Sequence, residues 1–205
     1  MSSTYHHGDL YRQALEQAQA LLHEEGAAAV TLRALARRLR VTAPALYRHF
    51  RNRDSLLAAL AEHGFLKLRQ QLLAVQRDDA LERLTGIGQA YIAFAQARPN
   101  LYRLMFGGQL LPRGAHPDLD TAGLGAFAVL QKSIDDALAA DYLNGQPAGP
   151  LAAAAWSLVH GFAELTIDGH LPDEQQAPGL AALVTRLLLP GGPPSDDNNN
   201  PRHQP

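Results

Sequence analysis

Residues 31–53, TLRALARRLRVTAPALYRHFRNR, contain seven arginines and no acid, with apolar residues at helical spacing between them. A guanidinium group carries five N–H donors in a planar fork, which matches phosphate oxygens and the O6/N7 edge of guanine. Val41, Thr42, Ala43 and Pro44 break the run once, as a turn between two short helices does. This is the footprint of a helix-turn-helix on double-stranded DNA. The charge distribution agrees, because the chain has 18 Lys+Arg against 20 Asp+Glu and a formal net charge of −2. Without the window's seven arginines, eleven basic groups face the same twenty acids, so positive charge is concentrated in one segment. Clustered cations hold a polyanion by releasing its counterions, and this does not require a basic protein overall.

A second constellation is His160, Glu164 and Asp168, which recur every four residues and share one face of a helix. That spacing superficially suits acid–base or metal chemistry, but it lacks the HExxH order and no second cluster completes it. His6 and His7 stand side by side on the N-terminal arm without further ligands at metal spacing. Neither a metal nor a cofactor is expected. The reading from another class is a helical small-molecule carrier or enzyme using His160, Glu164 and Asp168. Salt-dependent retention on nonspecific DNA separates it from a regulator.

These groups need elements to hold them, and the composition favours helices. Alanine and leucine dominate, β-branched runs are rare, and no segment alternates as a half-buried strand does. The absence of cysteine excludes disulfides and thiolate zinc sites. The N-terminus has no apolar core of a signal peptide, and no stretch approaches the roughly 20 apolar residues of a membrane span. A cytoplasmic protein without a membrane partner is expected.

Asp9 is an expected N-cap for a helix to about Glu25, burying Ala14, Ala18, Leu21 and Leu22 and stopped by Gly26. Thr31 caps a second helix that turns Leu35, Ala36 and Leu39 inward. Thr42 caps a third, with Pro44 in its first turn and Leu46 and Phe50 buried. A longer helix starts at Asp54 and ties this head to the rest, so the head cannot move independently. Helices are then expected over 81–97 and 101–106, separated by Arg98, Pro99 and Asn100, with a loop over 107–118. Further helices are expected over 119–143, 150–168 and 175–189. The tail 190–205 has too little apolar surface to fold. The expected fold is all-α, about nine helices, with a DNA-binding head (1–52), a larger ligand-binding and dimerisation part (53–189) and a disordered tail.

The runs Thr31-Leu32-Arg33-Ala34-Leu35-Ala36, Val41-Thr42 and Leu46-Tyr47-Arg48-His49-Phe50-Arg51-Asn52-Arg53 resemble the TetR family of transcriptional repressors. Tyr5 to Leu10, and Trp156-Ser157-Leu158-Val159-His160-Gly161, resemble the subgroup named for a Trp/His/Gly pattern in its C-terminal half. The resemblance implies a recognition helix from Ala43 to His49 in the major groove and a base-reaching position at Arg33. Donor chemistry independently favours Arg33 and Arg48 for guanine. Ala43, Pro44 and Ala45 suit thymine methyls. Thr31, Thr42, Tyr47, His49 and Arg53 occupy the positions that contact phosphate in the family. One departure is Arg40, where the family usually has glycine. It must tolerate the turn's backbone angles, positive φ included, and can add a phosphate contact.

A head this small needs a second copy for specificity, so a homodimer on a palindromic operator is expected. By the resemblance, 150–168 and 175–189 form much of a four-helix interface. A small-molecule effector then releases the DNA, with the helix from Asp54 as lever. Tyr91, Phe94, Met105, Phe106, Phe127, Trp156 and His160 are the candidates around such a ligand, and all of them serve equally as ordinary core. Activation and nucleoid binding are the variants of this reading.

Overall fold

The protein is described from a computed structural model covering residues 7–108, 110–143 and 147–171. Among the described residues the regular structure is eight α-helices and one turn of 3-10 helix, with no strand. The helix expected over 175–189 and the tail lie outside them, as does His6.

Helix α1 spans His7–Glu25, so Asp9 falls inside the helix and not ahead of it. No proline precedes it to stop the backbone earlier. Gly26 ends α1 at φ 81°, and its N–H donates to the Leu22 carbonyl at 3.1 Å. After a turn at Ala27–Ala29, α2 covers Leu32–Leu39 and α3 covers Ala43–Tyr47. Helix α4, Arg53–Leu73, opens with a reciprocal capping box in which Asn52 accepts from Ser55 N–H at 2.8 Å and Ser55 accepts from Asn52 N–H at 3.1 Å.

Helix α5 runs over Ala80–Ala97 and is capped by Asp79, which accepts from Glu82 N–H at 2.8 Å. The expected start of the next helix at residue 101 is corrected by two residues. Pro99 opens α6 (Pro99–Phe106) as its first residue, where a missing N–H costs nothing. Helix α7 covers Pro117–Ala139 and α8 covers Ala148–Ile167. The expected end of α7 at residue 143 is corrected: Asp141 takes a left-handed φ of 62°, and Tyr142 N–H closes back on the Ala137 carbonyl at 3.0 Å. Leu143 then tucks into a small core with Ile134, Ala137, Ala152 and Ala155. The start is corrected too, because Pro117 is preorganised for a first helical position and shortens the loop by two residues.

One continuous apolar core joins head and body, from Leu10, Leu35, Leu46 and Phe50 through α4 to Phe94, Tyr102 and Phe162. Leu46 and Phe50 are buried as their spacing predicts. Helix α4 contributes to both ends of this core. Polar links reinforce the joint, since the Asn100 amide of α6 donates to the Leu22 and His23 carbonyls at 2.9 and 3.2 Å. Both carbonyls belong to the last turn of α1, and the Leu22 oxygen is shared with the Gly26 N–H that closes the helix. Lys67 of α4 donates to Gln19 at 2.8 Å. The head is thus tied to the body, as expected.

Candidate nucleic-acid interface and internal cavity

The arginine window folds into α2, the turn and α3. Arg33, Arg37 and Arg40 succeed one another along α2 at intervals of four and three residues, and all are exposed. Arg48 and Arg51, beyond α3, are exposed as well. None of these five guanidinium groups has a hydrogen bond or ion pair among the described residues. Two arginines of the window are used internally. Arg38 donates to both carboxylate oxygens of Glu24, at 2.9 and 2.7 Å, across the α1–α2 contact. Arg53 donates through Nε to the Val30 carbonyl at 3.0 Å and through Nη2 to the Ala27 carbonyl at 2.6 Å. Its guanidinium therefore holds the segment before α2 in place, a use that residue spacing did not reveal.

Thr31 caps α2 as expected, its Oγ1 accepting from Ala34 N–H at 3.1 Å. Its hydroxyl hydrogen is not used by that bond. Thr42 stands at the N-cap position of α3, but its side chain makes no cap bond, which corrects the expectation. The reason is local: Pro44 has no N–H, and Ala45 N–H already donates to the Thr42 carbonyl at 3.0 Å. The Thr42 hydroxyl is left exposed.

Arg40 closes α2 at φ 54° and ψ 40°, in the left-handed region. Its N–H donates to the Arg37 carbonyl at 3.2 Å and Val41 N–H reaches the Ala36 carbonyl at 3.0 Å. This pair of bonds is the Schellman closure that usually employs glycine. The strain expected for a residue with a β-carbon is thus present, and it aims the arginine outward. Ala43 and Ala45 are half-buried, Pro44 and Tyr47 exposed, and Tyr11 of α1 stacks on Phe50 at 5.2 Å beside a half-buried His49.

Behind the head, α4 to α8 enclose a cavity of about 600 Å³. Of the residues singled out from the sequence, Tyr91, Met105, Phe106, Phe127 and Trp156 line it. Phe94 and His160 do not. Phe94 is 1% exposed in the core, with the Arg98 guanidinium 5.1 Å above its ring. His160 sits behind the wall, where its Nδ1 meets the hydroxyls of Tyr91 at 2.9 Å and Tyr102 at 2.6 Å. Those hydroxyls are 3.0 Å apart, and Trp156 Nε1 donates to Tyr91 at 3.4 Å. Burial pushes the Tyr91 hydroxyl up to about 12 and Tyr102 further in the same direction, so both stay protonated. Burial also lowers the His160 pKa, against a smaller opposite effect of Glu164. Tyr102 was not singled out by the sequence, although it lies three and four residues before Met105 and Phe106 on α6. Leu68, Ile87, Leu119, Leu130 and Val159 complete much of the wall.

The His160, Glu164, Asp168 face does not converge on one centre. His160 is bound to tyrosines, while Asp168 accepts from Arg103 at 2.6 Å. No group of three His, Cys, Asp or Glu capable of holding a metal occurs among the described residues. No helix among them is long and apolar enough to cross a membrane.

Comparison with known proteins bears on this arrangement directly. The pattern described as "Bacterial regulatory proteins, tetR family" matches residues 14–60, and "Tetracyclin repressor-like, C-terminal domain" matches residues 84–189, half of the chain. The chain belongs to the TetR family. It is a family of helix-turn-helix DNA-binding transcriptional regulators and not of enzymes, so the carrier or enzyme reading of His160, Glu164 and Asp168 is set aside. A solved structure of a protein with unknown function from Rhodococcus sp. RHA1 shares 32% identity over 92% of this chain and 99% of that one, with a TM-score of 0.80. An HTH-type transcriptional regulator of Mycobacterium tuberculosis is 29% identical over 181 residues, 84% of this chain and 77% of that protein. The nucleoid occlusion factor SlmA of Vibrio vulnificus is 35% identical over 99 residues, 45% of this chain. The match spans half the length of that relative.

Proposed function

We propose that this TetR-family chain is a homodimeric, ligand-responsive repressor that occupies a palindromic operator and is released by a small molecule. The observation that carries the DNA reading is the set of five exposed guanidinium groups without partners around α2 and α3, in a chain that is acidic elsewhere. In this reading α3 and the residues after it enter the major groove, with Arg33 and Arg48 on base edges and Ala43, Pro44 and Ala45 against methyl groups. Thr31, Arg40, Thr42, Tyr47 and His49 hold the backbone. Arg53 acts mainly by fixing the segment that carries Thr31.

The head is assigned to 1–52, the ligand-binding and dimerisation part to 53–189 and a tail to 190–205, in a cytoplasmic protein. Helix α8 leaves Ala153, Ala154, Ser157 and Leu165 exposed, a small-residue face suited to close packing on a second copy. The region 175–189 is proposed to complete that interface. The cavity supports an effector site, and its contact with α4 and α6 supports a route from ligand to head. The aromatic packing of Trp156 and His160, 5.5 Å between rings, is consistent with the Trp/His/Gly subgroup.

Selection from random duplexes tests the proposal. A two-fold symmetric site with half-sites about one helical turn apart is expected, and enrichment of no sequence contradicts it. A broader chromosomal role, of the kind that the name of SlmA records for that protein, predicts many dispersed sites and no dependence on a small molecule.

A further inference from the structure

Among the described residues, the polar side chains of the deep cavity wall, Tyr91 and Trp156, are already partnered within the wall. Tyr91 O–H lies among Tyr102, His160 and Trp156, and Trp156 N–H donates to Tyr91. The rest of the deep wall is hydrocarbon: leucines of α4, α5 and α7, Ile87, Phe65, Phe106 and Phe127. A ligand with hydroxyls or amides along its body would bury them unpaired there, at a large cost. Among the described residues, charge enters the lining at one end only, where the segment after α6 meets the first turns of α7. There Arg113 is exposed and has no partner among the described residues. Asp120 is beside it in the lining, and one of its oxygens accepts from Gly114 N–H at 2.9 Å. Leu124, 70% exposed, lines the same end.

We infer that the ligand of this cavity is an unsubstituted hydrocarbon chain or ring system bearing a single terminal carboxylate, with the hydrocarbon inside and the carboxylate on Arg113. The inference rests on the reading of the cavity as an effector site and adds the chemical class. Arg113 supplies a fork of donors for a carboxylate, whereas Asp120 opposes it and has part of its accepting capacity engaged by Gly114. The two side chains thus act on ligand affinity in opposite directions.

Trp156 is the sole tryptophan of the chain and lines the cavity, so its fluorescence reports occupancy directly. The full-length protein is titrated with decanoate and with decanol, which share a chain and differ in charge. Decanoate is expected to change Trp156 emission saturably and to bind more tightly than decanol. Arg113→Gln should weaken decanoate about tenfold, as loss of a charge-assisted hydrogen bond does, and leave decanol unchanged. Asp120→Asn, which keeps an acceptor for Gly114, should tighten decanoate and leave decanol unchanged. Equal affinity of the native protein for both compounds, equal effects of Arg113→Gln on both, or no binding of either would overturn the inference. Circular dichroism of both variants guards against misfolding. Operator release, measured separately, keeps the two proposals apart. Charge-selective binding without release would contradict the effector reading alone, and release by decanol but not decanoate would contradict the ligand class alone.

Discussion

Arg40 sits where the backbone turns left-handed, and its side chain faces solvent with no partner among the described residues. A β-carbon in that region costs roughly 1–2 kcal/mol, part of which glycine recovers and part of which it loses through its freer unfolded chain. Arg40→Gly is therefore expected to raise stability by about 0.5–1 kcal/mol while weakening DNA binding and lowering its salt dependence. Thermal melts and binding isotherms at several salt concentrations check both halves. Base-reading and backbone-holding arginines differ in the same assay. Arg33→Ala or Arg48→Ala should cost about 1–3 kcal/mol and relax preference at one base pair, whereas Arg51→Ala should weaken all sequences alike and reduce the salt slope by about one. Arg53→Ala should lower the melting temperature as well, because the Val30 carbonyl loses the Arg53 donor and the Ala27 carbonyl keeps only the Val30 N–H.

At the scale of helices, the ends at Glu25, Ala97 and Phe106 fall where the sequence places them, whereas α4 to α8 each begin one or two residues ahead of the expected start. Thr31, Asn52, Asp79 and Pro99 act through neighbours within four residues, so their roles can be read locally. The end of α7 depends on Asp141 adopting a left-handed turn and Leu143 finding a core pocket, which no local spacing records. The idle Thr42 hydroxyl is explained by Pro44 two residues on. Coupling between helices is similarly invisible in the sequence, and Asn100 illustrates it. Asn100→Ala should destabilise by about 1–2 kcal/mol and speed amide exchange at the end of α1 more than in α7. Unchanged exchange there would remove Asn100 from the joint. His160 gives a pH dependence of defined sign. Its folded pKa lies below the ordinary 6.5, so the unfolded chain binds the proton more readily. Stability should be fully present above about 6.5 and fall as pH drops through the folded value, and His160→Gln should flatten part of that fall. His63, also lowered by burial, contributes in the same direction.

For the molecule as a whole, the all-helical class and the basic head were legible because both are written in short-range periodicity and charge. The cavity was legible only in part. Tyr91, Met105, Phe106, Phe127 and Trp156 line it, but Phe94 faces the core and His160 lies behind the tyrosines. Which face of an apolar helix meets a void depends on how five helices pack, and aromatic content alone does not decide it. Dimerisation belongs to this scale too. Ala154→Arg, on the exposed face of α8, should yield a monomer by sedimentation with unchanged helicity and a large loss of operator affinity.

The most direct test of the central claim is the affinity of the purified protein for duplex DNA as a function of salt. The logarithm of the binding constant should fall linearly with the logarithm of salt concentration, with a slope of several units per dimer, and the slope should shrink when Arg40 or Arg51 is replaced. A natively helical protein that ignores duplex DNA at low ionic strength, or binds it with no salt dependence, would contradict the account.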